Sequence, residues 1–331
     1  MPKVVRFYEF GSADVLKLEE LPLIEPDEGE VRLKVEAIGL NRAEVGFRAG
    51  KYLELPKAFP ATLGYEAAGV IDAIGSKVTG FQMGDRVSTI PTFSMQNYGT
   101  YGESAIVPAV AVAHYPETLS PIQGTAIWMA YITAYDPLIE YGQLKAGDVV
   151  LITAASSSVG YSAIQIAKAA GAVTIATTRS NAKKQMLLDK GADQVIVTNH
   201  EDLVTRVREI TNGHGADLIF DAVAGSLLET LATAAAPGAT IFVYGALDET
   251  ATTPFPLFAA LQKGLKVQGY TLFEITTDSV KLEHAKQYIY KGLESGELVP
   301  VLDRTFTLNQ IVEAHRDMES NQQNGKITVT V

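Results

Sequence analysis

Residues 155–160, Ala-Ser-Ser-Ser-Val-Gly, have the small side chains and the position needed for contact with a phosphate group. They follow an apolar run at 149–153 and precede apolar residues at helical spacing between Ala163 and Ala170, which predicts a strand, a turn and a helix. A helix N-terminus carries unpaired N–H groups and partial positive charge, so it attracts phosphate where the backbone can come close. Of the usual G-x-G-x-x-G fingerprint only the last glycine, Gly160, is present. These residues are compatible with a phosphate-binding turn and equally with an ordinary turn between a strand and a helix.

A second apolar strand at 173–177 completes a β-α-β unit of the size expected for half of a dinucleotide-binding domain. An NAD site usually has Asp or Glu at the end of this strand, bound to the ribose 2′-OH, whereas an NADP site has a cation there. This chain has Thr178 and Arg179 at that point, with Lys183 one turn later and no acid. Arg179 and Lys183 could be solvated surface charges, but in this context they favour NADPH as the cofactor.

Composition excludes several classes of protein. The chain has 331 residues, no cysteine and a formal net charge of -11. A disulfide framework, a thiolate zinc site and a cysteine nucleophile are therefore impossible, and an acidic surface does not suit nucleic acid. The first residues lack the apolar core of a signal peptide, and no apolar run approaches the roughly 18 residues of a membrane helix. We expect a cytoplasmic enzyme with no nucleic-acid or membrane partner.

Two kinds of sequence follow one another along the chain. Up to about residue 120, short strands are separated by frequent Gly and Pro, which is typical of a β-rich domain. A helix capped by Ser120 is expected at 121–140. From 149 onwards, strands and helices alternate, which predicts a doubly wound parallel sheet of six strands. The fold class is therefore α/β, a Rossmann domain with a second, β-rich domain.

Several segments together resemble a known family. They are GLNRAEVGFRAGKY at 39–52, GYEAAGVI at 64–71, GDRV at 84–87, a block at 133–160 that ends in ASSSVG, and GKITV at 325–329. In this order they are similar to the medium-chain dehydrogenase/reductase superfamily, in its zinc-independent quinone oxidoreductase and enoyl reductase branch (zeta-crystallin-like). The resemblance implies a discontinuous GroES-like catalytic domain at 1–122 and 268–331 and a Rossmann domain at 123–267.

The resemblance also implies that no metal is bound. Zinc-dependent members have a cysteine where this chain has Asn41 and a histidine where it has Tyr65. They also have a structural lobe with four cysteines downstream, and this chain contains no cysteine. Glu66 is kept, but one carboxylate makes a poor zinc site. The acceptor of a hydride must then be electrophilic already, as quinones, conjugated enones or enals and enoyl thioesters are.

Site residues are carried over from the family by position. Tyr52 corresponds to the proposed proton donor of the enoyl reductases, and Asn41 to a residue that polarises or orients the acceptor beside the nicotinamide; a half-buried packing role for Tyr52 stays open. The expected contacts of NADPH are Asn41, Thr133, Ser157, Ser158, Val159, Gly160, Thr178, Arg179, Lys183, Val223, Tyr244, Gly245, Ala246 and Phe273. Related quinone reductases often have a tyrosine near the phosphate where Thr198 stands here.

Three alternative interpretations of the sequence concern the class of protein. Tyr141 and Lys145 form a YxxxK pattern as in short-chain dehydrogenases, but it precedes the phosphate turn instead of following it, so we interpret it as a surface turn. An enoyl-thioester reductase and a non-catalytic NADPH-binding protein are the alternatives to a quinone or enone/enal reductase. A homodimer formed through the strand around Val267 is a family expectation.

Overall fold

The structure is a computed structural model that describes residues 1–248 and 252–331. It separates into two compact units, one formed by Met1–Met129 with Pro300–Val331 and the other by Ala130–Val299. We call them the β-rich unit and the parallel-sheet unit. The domain boundaries expected from the sequence, at about residues 122 and 268, remain a prediction.

The strands are β1 (Lys3–Arg6), β2 (Lys17–Glu20), β3 (Glu30–Gly39), β4 (Glu66–Ile74), β5 (Arg86–Thr89), β6 (Ser104–Pro108), β7 (Val112–His114), β8 (Val149–Ile152), β9 (Val173–Thr178), β10 (Gln194–Val197), β11 (Ala216–Asp221), β12 (Ala235–Val243), β13 (Lys266–Gly269), β14 (Leu302–Thr307) and β15 (Lys326–Thr330). The α-helices are α1 (Arg42–Ala49), α2 (Pro121–Gly124), α3 (Trp128–Tyr135), α4 (Ser158–Ala169), α5 (Lys184–Asp189), α6 (Leu203–Ile210), α7 (Leu227–Ala234), α8 (Leu257–Lys263), α9 (Phe273–Thr276), α10 (Ser279–Ser295) and α11 (Ile311–Glu319).

The parallel-sheet unit contains the expected six-stranded sheet, in the order β10-β9-β8-β11-β12-β13, with every neighbouring pair parallel. This is the doubly wound order of a Rossmann fold. The central strands are apolar runs because helices cover both faces; Leu151, Ile175 and Ile219 have no exposed surface. The predicted fold class, a Rossmann sheet with a separate β-rich domain, is confirmed.

The β-rich unit is built on a sheet in the order β14-β15-β3-β4-β5-β7, with β6 paired to β3. Strand β15 at the C-terminus pairs with β3 in antiparallel register, Val329 opposite Ile38 and Thr328 opposite Gly39. This pairing brings the end of the chain against the segment that leads into α1. It therefore positions residues that are almost 300 positions apart in sequence.

The helix expected at 121–140 is interrupted. Ser120 does cap α2, accepting a hydrogen bond from the Gln123 N–H at 3.4 Å. The chain then leaves α2 at Thr125, restarts as α3, and ends in a π-helical turn at Asp136–Glu140 in which the Tyr141 N–H bonds the Asp136 carbonyl. Pro137 lies in this turn and lacks the N–H that would bond the Thr133 carbonyl in a continuous α-helix. None of the helices in the described ranges is long and apolar enough to cross a membrane.

Candidate functional site

The predicted phosphate turn connects β8 to α4. Ser157 is the N-cap of α4, and its Oγ accepts the Gly160 N–H at 3.0 Å. A Cβ on Gly160 would lie 2.5 Å from the carbonyl oxygen of Ala155, so only glycine lets the first turn of α4 pack against the turn. Ala154 has φ of 45°, a left-handed conformation. The start of α4 is thus held close to the β8 end with its first N–H groups at the loop.

The predicted adenosine-phosphate cations lie at the end of the neighbouring strand. Strand β9 ends at Thr178, and Arg179 follows it with an exposed side chain. The Nζ of Lys183 donates to the Oγ of Ser156 at 3.2 Å, so this ammonium contacts the phosphate turn itself. No acidic residue stands between Thr178 and Lys183. The arrangement suits an anionic 2′-phosphate and not a 2′-hydroxyl held by a carboxylate.

Asp221, which the sequence analysis did not single out, organises the next strand ends. It is fully buried at the end of β11, and its carboxylate accepts the Thr153 Oγ1 at 2.7 Å, the Val223 N–H at 3.0 Å and the Ala224 N–H at 2.9 Å. These bonds fix the segment after β11 that contains Val223. In the sequence it is an acid placed directly after three apolar strand residues, Leu218 to Phe220, where a solvent-exposed charge is the usual interpretation.

The segment after β12 lies beside it, because β11 and β12 are neighbours in the sheet. The ring of Tyr244 stacks on that of Phe220 with centroids 4.0 Å apart. A Cβ on Gly245 would lie 2.8 Å from the Ala222 carbonyl, so glycine permits this close approach. The carboxyl ends of β8, β9, β11 and β12, which are consecutive in the sheet, therefore bring together most of the predicted cofactor contacts.

The other predicted cofactor residues lie on helices or loops. Thr133 is buried in α3, Ser158 and Val159 form the first turn of α4, and Ala246 follows Gly245 in a loop. Phe273 begins α9 and is partly exposed. All of these belong to the parallel-sheet unit, whereas Asn41 and Tyr52 belong to the β-rich unit.

The YxxxK pattern lies in a surface turn, with Tyr141 42% exposed.

In the β-rich unit, Asn41 is the N-cap of α1 and is only 9% exposed. Its backbone N–H donates to Glu44 at 2.7 Å, and its side-chain Nδ2 donates to Glu44 at 3.2 Å and to the Gly39 carbonyl at 3.4 Å. The Lys326 ammonium lies 2.6 Å from its Oδ1. Because an ammonium only donates, this contact fixes the side-chain amide with its oxygen towards Lys326.

Lys326 is the centre of this buried polar cluster, which we call the Lys326 cluster and which consists of Asn41, Glu44, Glu66 and Lys326. Besides Asn41, the Lys326 ammonium donates to Glu66 in a salt bridge whose two side chains are 0% and 1% exposed. The other carboxylate oxygen of Glu66 accepts the Met129 N–H at 2.9 Å. The residue that zinc-dependent relatives keep as an acid is thus neutralised here by an ammonium group.

Glu44 is fully buried, and burial raises its pKa to about 7, although the nearby Lys326 ammonium acts in the opposite direction. Its carboxylate also accepts the Tyr65 N–H at 3.1 Å. Glu44 and Lys326 were both missed by the sequence analysis. Glu44 lies within the quoted GLNRAEVG motif, but a charged residue in a helix is normally expected to face solvent.

Tyr52 lies in the loop after α1, beside Gly46, where an added Cβ would lie 3.1 Å from the Lys51 carbonyl oxygen and in ordinary contact with Tyr52. Burial raises the pKa of Tyr52 to about 12. The hydroxyl of Tyr52 lies near that of Tyr65, a fully buried residue at the end of the segment that leads into β4, and the Tyr65 hydroxyl donates to the Glu54 Oε1 at 3.2 Å. The structure therefore places Tyr52 near Tyr65, which the sequence suggested only as a replaced histidine.

Metal ligands are not assembled anywhere in the part of the chain that the structure describes: residues 1–248 and 252–331 contain no group of three or more His, Cys, Asp or Glu side chains that could hold an ion. His315, one of the five histidines, is fully buried, and burial lowers its pKa to about 3.

Comparison with known proteins identifies the family. Residues 27–117 match the family model of the alcohol dehydrogenase GroES-like domain, and residues 158–284 match that of zinc-binding dehydrogenases. Human quinone oxidoreductase is 32% identical over 317 residues, covering 96% of this chain and 93% of the relative. A crystal structure of Escherichia coli quinone oxidoreductase complexed with NADPH has a TM-score of 0.91 at 28% identity, covering 99% of this chain and 100% of the other.

A crystal structure of an NAD-dependent alcohol dehydrogenase is similar as well, with a TM-score of 0.89 at 31% identity and 99% coverage of both chains. The two family models span most of the chain, and the human relative matches 96% of it. The chain belongs to the medium-chain dehydrogenase/reductase superfamily, in its quinone oxidoreductase branch.

Proposed function

We propose that the protein is an NADPH-dependent, zinc-independent oxidoreductase that reduces a quinone or a conjugated enone or enal. Support comes from the human quinone oxidoreductase at 32% identity and from the NADPH complex of the Escherichia coli enzyme. The observation that carries the proposal in this chain is the pair of cations at the end of β9: Arg179 is exposed there, and Lys183 contacts the phosphate turn. The cytoplasmic location is part of the same proposal.

The residues present fit NADPH. Gly160 allows the α4 N-terminus to approach a pyrophosphate, Ser157 and Ser158 bring hydroxyl groups to it, and Arg179 and Lys183 suit the 2′-phosphate. The segments after β11 and β12, which contain Val223 and Tyr244 to Ala246, are proposed to contact the remainder of the cofactor. When bound, NADPH supplies the hydride.

Zinc does not fit the residues of this chain. No cysteine is available, Asn41 is a poor zinc ligand, and the Lys326 ammonium already neutralises Glu66. A substrate whose carbonyl must be activated by a metal is therefore a poor candidate. An acceptor that is conjugated, and hence already electrophilic, needs only hydrogen bonds and a proton donor.

For Asn41 we propose an orienting role. Its Oδ1 accepts from Lys326 and both protons of its Nδ2 have acceptors within the Lys326 cluster or on Gly39, so the amide is held in one orientation. For Tyr52 we propose the role of proton donor to the reduced acceptor. We expect Tyr52→Phe to lower kcat by about 10²-fold, at the lower end of general acid catalysis, with the Kd for NADPH unchanged.

The test is oxidation of NADPH followed at 340 nm with a panel of quinones, 2-alkenals, cyclic enones and enoyl thioesters, with NADH run in parallel. Turnover with quinones, enones or enals and a higher kcat/KM for NADPH than for NADH are expected. A preference for NADH would contradict the cofactor assignment. Turnover with enoyl thioesters alone would support the enoyl-thioester reductase, and tight NADPH binding without turnover would support a non-catalytic binding protein.

We also propose a homodimer. Strand β13 with Val267 is an edge of the six-stranded sheet, paired within the described residues only to β12, so its outer side is available for a second copy. Sedimentation of the purified protein is expected to give twice the 35.5 kDa chain mass.

A further inference from the structure

Thr153 and Asp221 form a buried polar bridge between two strand ends of the parallel-sheet unit. Thr153 directly follows β8 and leads into the phosphate turn, and Asp221 is the last residue of β11. The Thr153 hydroxyl donates to the Asp221 Oδ1 at 2.7 Å and accepts the Ala222 N–H at 2.9 Å. One hydroxyl therefore binds both the side chain at the end of β11 and the backbone that leaves it. We call this pair the Thr153–Asp221 bridge.

The Asp221 carboxylate extends the bridge into the segment after β11. Its Oδ1 also accepts the Val223 N–H at 3.0 Å, and its Oδ2 accepts the Ala224 N–H at 2.9 Å. Ala224 has φ of 57°, a left-handed conformation that is unfavourable for alanine. The bond from its N–H to Asp221 helps to hold it there, so the path of residues 222–225 depends on this carboxylate.

The segment after β12 is attached at the same place. The Tyr244 N–H donates to the backbone carbonyl of Asp221 at 2.9 Å, and the Leu247 N–H donates to the carbonyl of Ala222 at 3.0 Å. Three segments that are predicted to contact the cofactor, namely the phosphate turn and the segments after β11 and β12, are therefore joined at Asp221 and the residue that follows it.

Closing the turn after β11 does not by itself account for this arrangement. Aspartate side chains commonly bond backbone N–H groups two and three residues further on, but such turns usually lie at the surface. Here Thr153 and Asp221 are both 0% exposed, and the three groups that donate to Asp221 are neutral. Burying a carboxylate costs free energy unless hydrogen bonds replace its water. Because Thr153 supplies one of these bonds from another strand, the bridge also fixes the spacing of the two strand ends.

We propose that Thr153 and Asp221 are positioning residues that set the affinity for the dinucleotide, by holding the phosphate turn and residues 222–225 at a fixed spacing. This inference rests on the proposed function, in which both segments contact NADPH. A ligand that spans two segments binds more tightly where they are already held in place, because less free energy is lost in ordering them. Both side chains act through the backbone that they hold.

The bridge differs from the cations at the end of β9 in what it recognises. Arg179 and Lys183 are proposed to distinguish a 2′-phosphate from a 2′-hydroxyl, whereas the bridge acts on segments that NADPH and NADH both contact. Loss of the bridge should therefore raise the Kd of both cofactors and leave the ratio of the two Kd values unchanged.

The variant Thr153→Val replaces the hydroxyl by a methyl group of similar size. We expect the Kd of NADPH, measured by fluorescence titration of the purified protein, to rise about tenfold. The ratio of the Kd for NADH to that for NADPH should stay within about twofold of the wild-type ratio, because neither cation is altered. Thr153→Ser keeps the hydroxyl and should restore most of the affinity. Asp221→Asn, in which an NH₂ group replaces one acceptor oxygen, should weaken the binding of both cofactors.

A second threonine–aspartate pair in the same sheet provides the matched control. Near the amino end of β9, the Thr174 hydroxyl donates to the Asp193 Oδ2 and accepts the Asp193 N–H, both at 2.9 Å. Thr174 is also 0% exposed, but the predicted cofactor contacts lie at the carboxyl ends of the strands. Thr174→Val should therefore lower the free energy of unfolding, as Thr153→Val does, while the Kd of both cofactors stays at the wild-type value.

Hydrogen exchange in the wild-type protein tests the same link without a substitution. If cofactor binding depends on the order of residues 222–224, binding must stabilise that order in return. NADPH should therefore slow the exchange of the Ala222, Val223 and Ala224 amide protons by a larger factor than that of the Asp193 amide proton.

The possible results separate a positioning role from a structural one. The proposal is overturned if Thr153→Val keeps the wild-type Kd, if Thr174→Val weakens binding as much, or if Thr153→Ser binds as weakly as Thr153→Val. It is also overturned if NADPH slows exchange at residues 222–224 no more than at Asp193, and this result decides the question should Thr153→Val fail to fold. A wild-type protein that prefers NADH overturns the cofactor assignment and leaves the bridge standing, whereas one that binds neither cofactor overturns both proposals.

Discussion

The contacts of Lys326 show why some site residues cannot be recognised from local sequence patterns. It appears in the sequence only as part of a terminal GKITV motif, yet in the structure its buried ammonium joins Asn41 and Glu66. Pattern reasoning works over a window of about 11–18 residues, whereas Lys326 and Asn41 are 285 residues apart. The proximity of Tyr65 and Tyr52 was hidden for the same reason, since it depends on how the loop after α1 folds back on the start of β4.

Removing the charge of Lys326 tests its partnership with Glu66. In Lys326→Met, Glu66 becomes a buried carboxylate without its counter-ion, and we expect the free energy of unfolding to fall by about 3–5 kcal/mol in urea titrations. The double variant Lys326→Met/Glu66→Gln should recover part of this loss. Lys77→Met, which breaks the exposed Lys77–Glu28 pair, is the control and should cost less than about 1 kcal/mol. If Lys326→Met and Lys77→Met lower the free energy of unfolding equally, Lys326 does not stabilise a buried charge.

Glu44 should make stability depend on pH. Its pKa is about 7 in the folded protein against an ordinary value of 4.5, so the folded state favours the protonated form. The resulting stabilisation is complete below pH 4.5 and is lost as the pH rises through 7. The shift corresponds to about 3 kcal/mol. Glu44→Gln should lack this loss, so the difference in unfolding free energy between variant and wild type should change by about that amount between pH 4.5 and 8. A constant difference would contradict the raised pKa.

At the scale of elements, sequence analysis succeeded where the hydrophobic pattern is local. Most of the six parallel strands were predicted because they are apolar runs bounded by small turn residues, and the turn before α4 because it joins one such run to a helical pattern. Helix α1 was missed because its buried face includes Glu44 and Arg48, one turn apart, so charge falls where a helical pattern requires apolar residues. Helix α8 was missed for the opposite reason: Phe258 and Leu261 are apolar but 84% and 72% exposed, so its sequence shows no polar face.

The turn before α4 offers a test of the two positions that shape it. Ala154 has φ of 45°, so Ala154→Gly should relieve a strain of about 1–2 kcal/mol and, after the entropy cost of glycine, stabilise the protein by about 0.5–1 kcal/mol. Gly160→Ala should destabilise it by about 1–3 kcal/mol, because the added Cβ meets the Ala155 carbonyl. Thermal and urea unfolding measure both. Ala163→Gly, within α4, is the control and should be destabilising by about 1 kcal/mol. A destabilising Ala154→Gly would mean that the left-handed turn carries no strain.

At the scale of the whole chain, the predicted cofactor contacts and the Lys326 cluster differ in how they are built. The predicted cofactor contacts lie mostly at consecutive strand ends of one parallel sheet, an edge that the strand–helix alternation already implies. The Lys326 cluster instead needs the C-terminal strand β15 to return beside β3. The resemblance to the family, and not the local pattern, indicated that return.

Cofactor binding should therefore be visible in the stability of the protein as a whole. A ligand at about 100 times its Kd stabilises the native state by about 2.7 kcal/mol, so NADPH should raise the unfolding temperature of the transition that contains the parallel-sheet unit. NADH at the same concentration should raise it less, since Arg179 and Lys183 gain nothing from a 2′-hydroxyl. In Arg179→Ser/Lys183→Ser the two cofactors should give similar, small shifts, while Lys184→Ser, at a neighbouring lysine paired with Glu201, should behave as wild type. If NADPH keeps its advantage in the double variant, the 2′-phosphate is held by other groups, and the argument from the end of β9 fails even though the chain binds the cofactor.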